Sequence, residues 1–216
     1  QGRVRRRQEK TMTLPVNRIL PLFIIALCAI PISWADTWQD IENSSRKLQS
    51  IQASFTQTKH MELLAKPLVS TGRFFYRQPG SLRWEYFSPV SSVLMLHNGS
   101  LHRYIKSKGG YVEDDAAKLK SMAIVLQEIT GWFGGRFDSN PDFTAKLVKS
   151  PRRSIVLTPR SEGLRKIISS IVLDLSDTEG VIDRVTINEG EQNRTVIQFA
   201  EIGINKPIRD DVFRKL

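Results

Sequence analysis

Turn chemistry recurs along this chain about every ten residues, the spacing of short strands in a sheet-rich fold rather than of helices. The markers are Pro79-Gly80, Ser88-Pro89, Asn98-Gly99, Pro151, Ser161-Glu162-Gly163, Asp177-Thr178-Glu179-Gly180 and Glu189-Gly190. Between them lie runs rich in β-branched and aromatic residues: 53–59, 69–77, 81–87, 91–96, 100–106, 143–149, 154–159, 167–175, 181–188 and 194–202. Such side chains suit a pleated, half-buried surface. Asn98-Gly99 is the strongest hairpin signal, because both residues tolerate positive φ.

Two segments break this rhythm. Trp38, Ile41, Leu48 and Ile51 fall at helical spacing with polar residues between them, and Asp36 or Thr37 can cap that helix. Residues 115–130 carry Met122, Val125, Leu126 and Ile129 at i, i+3, i+4 and i+7, which predicts a second helix stopped by Gly131. The expected fold is mainly β with helices (α+β), one domain with an antiparallel meander of about ten to eleven strands. One N-terminal helix cannot cover the apolar face of so many strands. Curling the sheet into an incomplete β-barrel, with the middle helix as a lid, solves this and leaves a hydrophobic cavity.

Residues 1–35 read as an address rather than as part of that fold. Ile19 to Ile32 carry no charge, too short a run for a membrane span of about 20 residues but suited to a secretory signal. Arg3, Arg5, Arg6, Arg7, Lys10 and Arg18 precede it, and Ser33-Trp34-Ala35 offers small residues for a cut after Ala35. Met12 stands where a start codon would give a compact signal, so 1–11 is read as extension. Export is the expected fate. Of the net charge of +10, half sits in these 35 residues with their single acid, Glu9. Removing them also removes Cys28, the one cysteine. The remainder must be stable through its core, without disulfides.

Familiar catalytic patterns are missing. The chain contains no HExxH, no GxSxG and no Gly-rich phosphate loop after a strand. His60, His97 and His102 are spread out, although His97 and His102 flank the Asn98-Gly99 turn and could face each other across a hairpin. Glu113-Asp114-Asp115 reads as charge complementing a helix start, not as a metal site. The sequons at Asn43, Asn98 and Asn193 are of the kind that arise by chance. Lys146, Lys149, Arg152 and Arg153 form only a small basic patch, and Arg165-Lys166 another, so no nucleic-acid partner is expected. No cofactor or metal is called for. The surplus is apolar: Phe74, Phe75, Tyr76, Trp84, Tyr86, Leu94, Met95, Trp132, Phe133 and Phe137 are many large groups for a small sheet. A curved apolar face binds acyl chains by burial, worth about 0.8 kcal/mol per CH2 group, and needs no catalytic residue.

Several of these segments together resemble the LolA family of periplasmic lipoprotein carriers. They are the signal, the amphipathic helix, SFTQTK (54–59), Gly72, RQPGSLRWEY (77–86), Pro89, HNGSLHRY (97–104), IVLTP (155–159), and Asn205 with Phe213. The resemblance spans residues 37–214, within a domain taken as 36–216. It implies an incomplete barrel whose cavity shelters lipoprotein acyl chains. It also implies an inner-membrane exporter as donor and an outer-membrane receptor as acceptor, with no enzymatic step. The carrier is expected to be a monomer. In these terms the cavity and lid are Phe75, Leu82, Trp84, Met95, Met122, Val125, Leu126, Ile129, Trp132 and Phe133. The family often has an Arg before the Pro of the Pro-Gly turn, in contact with the lid. Here Gln78 takes that place and Arg77 precedes it, on the other face of the strand. Both are lid-contact candidates. Two other readings stay open: the same half-barrel carrying another envelope lipid or glycolipid, or acting as a protein-interaction or sensor module through its basic surface. A hydrolase of envelope glycans or lipids using Asp114 or His97 is the least supported.

Overall fold

The computed structural model describes Gly2, residues 38–115, Leu126, residues 128–137 and residues 140–216. Met122, Val125 and the expected cleavage site therefore lie outside the described residues. Contacts divide the chain into Gln1–Ala35 and Asp36–Leu216.

Among the described residues, eleven strands follow one helix. They are α1 (Trp38–Arg46), β1 (Ser50–His60), β2 (Leu68–Arg77), β3 (Ser81–Ser88), β4 (Ser92–His97), β5 (Ser100–Ser107), β6 (Gly110–Glu113), β7 (Phe143–Val148), β8 (Ser154–Pro159), β9 (Ser170–Leu175), β10 (Ile182–Glu189) and β11 (Asn193–Ile204). Leu126 and residues 128–133 are helical and form α2. A single-turn helix α3 (Glu162–Arg165) and a 3-10 turn (Asp210–Phe213) complete the set. The strands make one antiparallel sheet in the order β6-β5-β4-β3-β2-β1-β11-β10-β9-β8-β7. Its first and last strands in sequence, β1 and β11, pair in the middle. β6 and β7 are free edges, so the barrel is open.

Ten of the eleven strands are where turn chemistry and alternation place them. The hairpin between β4 and β5 turns on Asn98 at φ 51 and Gly99 at φ 78. β6 was not expected. All four of its residues are exposed, so it has no buried face to leave a pattern. An edge strand this short gives little template for edge-to-edge pairing.

The two helical expectations need correction at their ends. α1 stops at Arg46, Leu48 lies in the link after it, and Ile51 belongs to β1. Asn205 fixes that boundary: its Oδ1 accepts from Gln49 N–H at 2.7 Å, and its Nδ2 donates to Lys47 O at 3.2 Å. The side chain thus satisfies backbone groups that a continuing helix would have used. α2 runs through Gly131 to Phe133. It ends where Gly135 N–H donates to Trp132 O and Arg136 N–H donates to Gly131 O, at 3.0 and 2.8 Å. Gly135 sits at φ 75, the left-handed position of a Schellman stop.

The core lies between the concave face of the sheet and the helices. Phe74, Trp84, Phe133 and Phe199 form a continuous ring cluster with centroids 5.1–6.3 Å apart. Gly135 backs against α1, where an added Cβ would stand 2.8 Å from Glu42 O.

Candidate functional site

Strand register sorts the concave face into rows. Phe74, Trp84, Leu94 and Arg103 stand abreast on β2 to β5. On one side of them is the row Tyr76, Leu82, Leu96 and Leu101, and on the other Gly72, Tyr86, Ser92 and Ile105. α2 fills the first side. Tyr76 Oη donates to Thr130 O at 3.4 Å, and the Phe133 ring packs on Phe74 and Tyr76. Burial pushes the Tyr76 phenol up, so it stays a donor.

The other side is left unfilled. A cavity of about 710 Å³ opens there. Its walls come from Gln57 of β1, Leu68 and Ser70 of β2, Trp84 and Tyr86 of β3, Ser92 and Leu94 of β4, and Arg103 and Ile105 of β5. Leu126 and Ile129 of α2 and Ile168, Ile187, Thr195 and Ile197 on the far half close it, while Pro89, Val90 and Ile167 frame the mouth. Such a volume is in the range of small-molecule sites. Val90 and Ile167 are exposed, as are Leu63, Leu68, Val69 and Phe87 near the same end of the strands, so the rim is apolar as well.

Polar groups in the walls are few. Tyr86 Oη donates to Gln57 Oε1 at 2.9 Å. Burial pushes its phenol up to about 12, with the Arg103 charge pulling the other way. Glu189 at the mouth pairs with Lys59 at 3.1 Å. Arg103 Nη1 donates to Asp114 Oδ2 at 3.3 Å. Trp84 has a buried indole N–H with no acceptor among the described residues.

The residues proposed from sequence separate into groups. Trp84, Leu126 and Ile129 line the cavity. Leu82, Trp132 and Phe133 are buried in the packed end beside it. Phe75 and Met95 stand on the convex face, one residue out of phase with Phe74 and Leu94. There Met95 Sδ lies 3.6 Å from Arg83 Nη1, which donates to Val212 O and Lys215 O of the C-terminal segment at 3.2 and 2.6 Å. Arg77 also serves that segment, donating to Ile208 O and pairing with Asp210 while its guanidinium covers Phe213. Gln78 Nε2 donates to Leu48 O at 2.8 Å, bracing the link between α1 and β1. Arg77 and Gln78 are thus both engaged with these segments.

The histidine pair does not form. His102 opposes Met95 and His97 opposes Ser100. His97 Nδ1 meets Ser81 Oγ at 2.9 Å, and His102 Nδ1 meets Glu113 Oε1 at 2.6 Å. Asp114 is taken by Arg103. Among the described residues, no group of three His, Cys, Asp or Glu could hold a metal. Alternation could have found the wall residues that were missed: Arg103 and Ile105 on β5, Ile187 and Glu189 on β10, and Thr195 and Ile197 on β11 all repeat with period two.

The family model of outer membrane lipoprotein carrier protein LolA matches residues 46–215 of this chain. The chain belongs to this family. A LolA relative, the outer-membrane lipoprotein carrier protein of Coxiella burnetii, is 21% identical over 198 residues, covering 90% of each chain. An uncharacterized conserved protein from Thermus thermophilus shares the fold, with a TM-score of 0.51 and 11% identity over 82% of this chain and 93% of that one. A LolA superfamily protein from Nitrosomonas europaea aligns over 84% of this chain and 99% of its own, with a TM-score of 0.42 and 9% identity.

Proposed function

We propose that this protein is a periplasmic carrier that shelters the acyl chains of lipoproteins in its cavity and moves them from the inner to the outer membrane. The carrying observation is the cavity itself: aliphatic and aromatic walls, packed shut at one end by α2, with an apolar rim at the other. Burial of methylene groups supplies the affinity, and no reacting group is required. The reading treats 1–35 as a cleaved signal and 36–216 as the carrier. It takes an inner-membrane exporter and an outer-membrane receptor as partners, and it is not an enzyme. The exposed rim residues Leu63, Val69, Phe87 and Val90 suit transfer from partner to partner, because cargo need not cross water far from an apolar surface.

The test is direct. Purified protein should bind a palmitoylated peptide and release an apolar fluorescent dye as it does so, and native preparations should carry a lipid-modified polypeptide. A protein that binds neither dye nor acylated peptide would end this reading. A second reading, a carrier for another envelope lipid, is favoured by one observation. Gln78, where the family often has Arg, braces the α1–β1 link, and Arg77 is committed to the C-terminal turn.

A further inference from the structure

Arg103 is out of keeping with its row. It stands abreast of Phe74, Trp84 and Leu94 on the concave face and lines the cavity. A guanidinium has five N–H donors in a planar fork. Asp114 takes one of them at 3.3 Å, and the half-buried side chain keeps the rest of its fork at the cavity wall. The Trp84 indole N–H in the same wall is without an acceptor among the described residues. Ser70, Ser92 and Thr195 add buried hydroxyls to the lining. Glu189, a carboxylate at the mouth, is paired with Lys59. The wall therefore offers several donors and a cation, while the described residues supply few oxygens to meet them. The Trp84 indole N–H is a buried donor left unmet in this wall, and a ligand oxygen that meets it gains affinity accordingly.

We propose that Arg103 is a headgroup site, binding a phosphate at the polar end of an acylated ligand whose chain lies along Leu94, Leu126 and Ile129. This rests on the second reading, a carrier for another envelope lipid, and narrows that cargo to phosphate-bearing amphiphiles. A phosphate presents the several oxygens that a forked guanidinium recognises, and it makes charge-assisted bonds stronger than neutral ones.

The experiment uses the full chain and three probes. These are lysophosphatidic acid, the monoacylglycerol with the same acyl chain, and inorganic phosphate alone, each measured by displacement of an apolar dye and by thermal protection. Lysophosphatidic acid should bind at least about tenfold tighter than the monoacylglycerol, the scale of one hydrogen bond to a charged group. Arg103→Gln should bring that ratio near one, and Arg103→Lys should restore part of it. An unchanged far-UV circular dichroism spectrum and dye binding by Arg103→Lys show that the position tolerates substitution without loss of the fold. A ratio near one in the parent protein, or a ratio that Arg103→Gln does not move, overturns the headgroup site and leaves the carrier reading standing. Failure of both amphiphiles to displace the dye overturns both. Thermal protection by inorganic phosphate equal to that by lysophosphatidic acid would assign the site to the free ion and overturn a headgroup role.

Discussion

The Phe55 ring lies over Gly72 so closely that a methyl group on Gly72 would stand 2.7 Å from two ring carbons and 1.9 Å from Glu85 O. Phe55 in turn packs edge-on against Trp84 and Tyr86, at 5.3 and 5.1 Å between centroids. The bare backbone of Gly72 thus lets one ring support two cavity-wall residues. Because Glu85 O is backbone, no side-chain rotation relieves the clash. Gly72→Ala should cost about 3 kcal/mol, the upper range for overpacking a core, read from urea unfolding. An unchanged midpoint would mean that β2 and β3 can separate there freely.

A charge in the cavity wall should block binding without unfolding the sheet, provided the chosen position is only half-buried. Ile105 and Ile187 meet that condition and line the cavity. Ile105→Asp and Ile187→Asp should each weaken apolar-dye or palmitoyl-peptide binding by about tenfold or more, since a carboxylate in an apolar wall must keep water with it. Phe75→Asp on the convex face and Arg152→Ala on the outer surface should leave binding unchanged. Equal losses from all four variants would mean that the cavity is not the binding site.

Leu82→Asp behaves differently for the same reason. Leu82 is fully buried in the packed end, so the substitution should collapse folding, and a binding assay alone would mistake that for a blocked cavity. Far-UV circular dichroism separates the two: signal lost for Leu82→Asp, retained for Ile187→Asp.

These contrasts show what was legible in the sequence. Strand count, hairpins and open-barrel class follow from local chemistry, because Pro-Gly, Asn-Gly and β-branched runs act over a few residues. Trp84, Leu126 and Ile129 could be read as a cavity group because each belongs to a strongly patterned segment. Phase was harder. Phe75 and Met95 are as apolar as Phe74 and Leu94, and only the pairing of Phe74 with Trp84 and of Trp84 with Leu94 says which of each pair faces inward. The end of α1 depended on Asn205, 156 residues from its partner Gln49, which no local pattern reveals. The chain's last residues cover the convex face beside Phe75 and Met95 through Arg83 and Phe213, a long-range contact that no local pattern announces.

That C-terminal clasp is testable by itself. Phe213 is buried, stacked 6.3 Å from His97 and covered by Arg77. Phe213→Ala should lower stability by about 3 kcal/mol, as for other buried aromatics cut to alanine. Dye affinity measured well below the melting temperature should not change, because the clasp lies on the face opposite the cavity. A loss of affinity with stability intact would show that the two faces are coupled.

The clasp should also give way in acid. The hydrogen bond from Arg77 is the main cause holding the Asp210 carboxyl below its ordinary value of 3.8, and the charges of Arg214, Arg77 and His97 reinforce it. A carboxylate depressed in the folded state contributes stability that is fully present above its unfolded pKa. That contribution fades as pH falls through the lower folded value. Asp210→Asn removes the charge at every pH. The variant should therefore melt below the parent at pH 7, and the gap should narrow below about pH 4, near the unfolded carboxylate value, and close at still lower pH. Arg77→Gln should narrow the gap in the same window, because it removes the partner that depresses the pKa. Melting temperatures of the three proteins from pH 7 to pH 2 measure this. A gap that stays constant down to pH 2 would mean that the Asp210 carboxylate adds nothing to the clasp beyond the shape of its side chain.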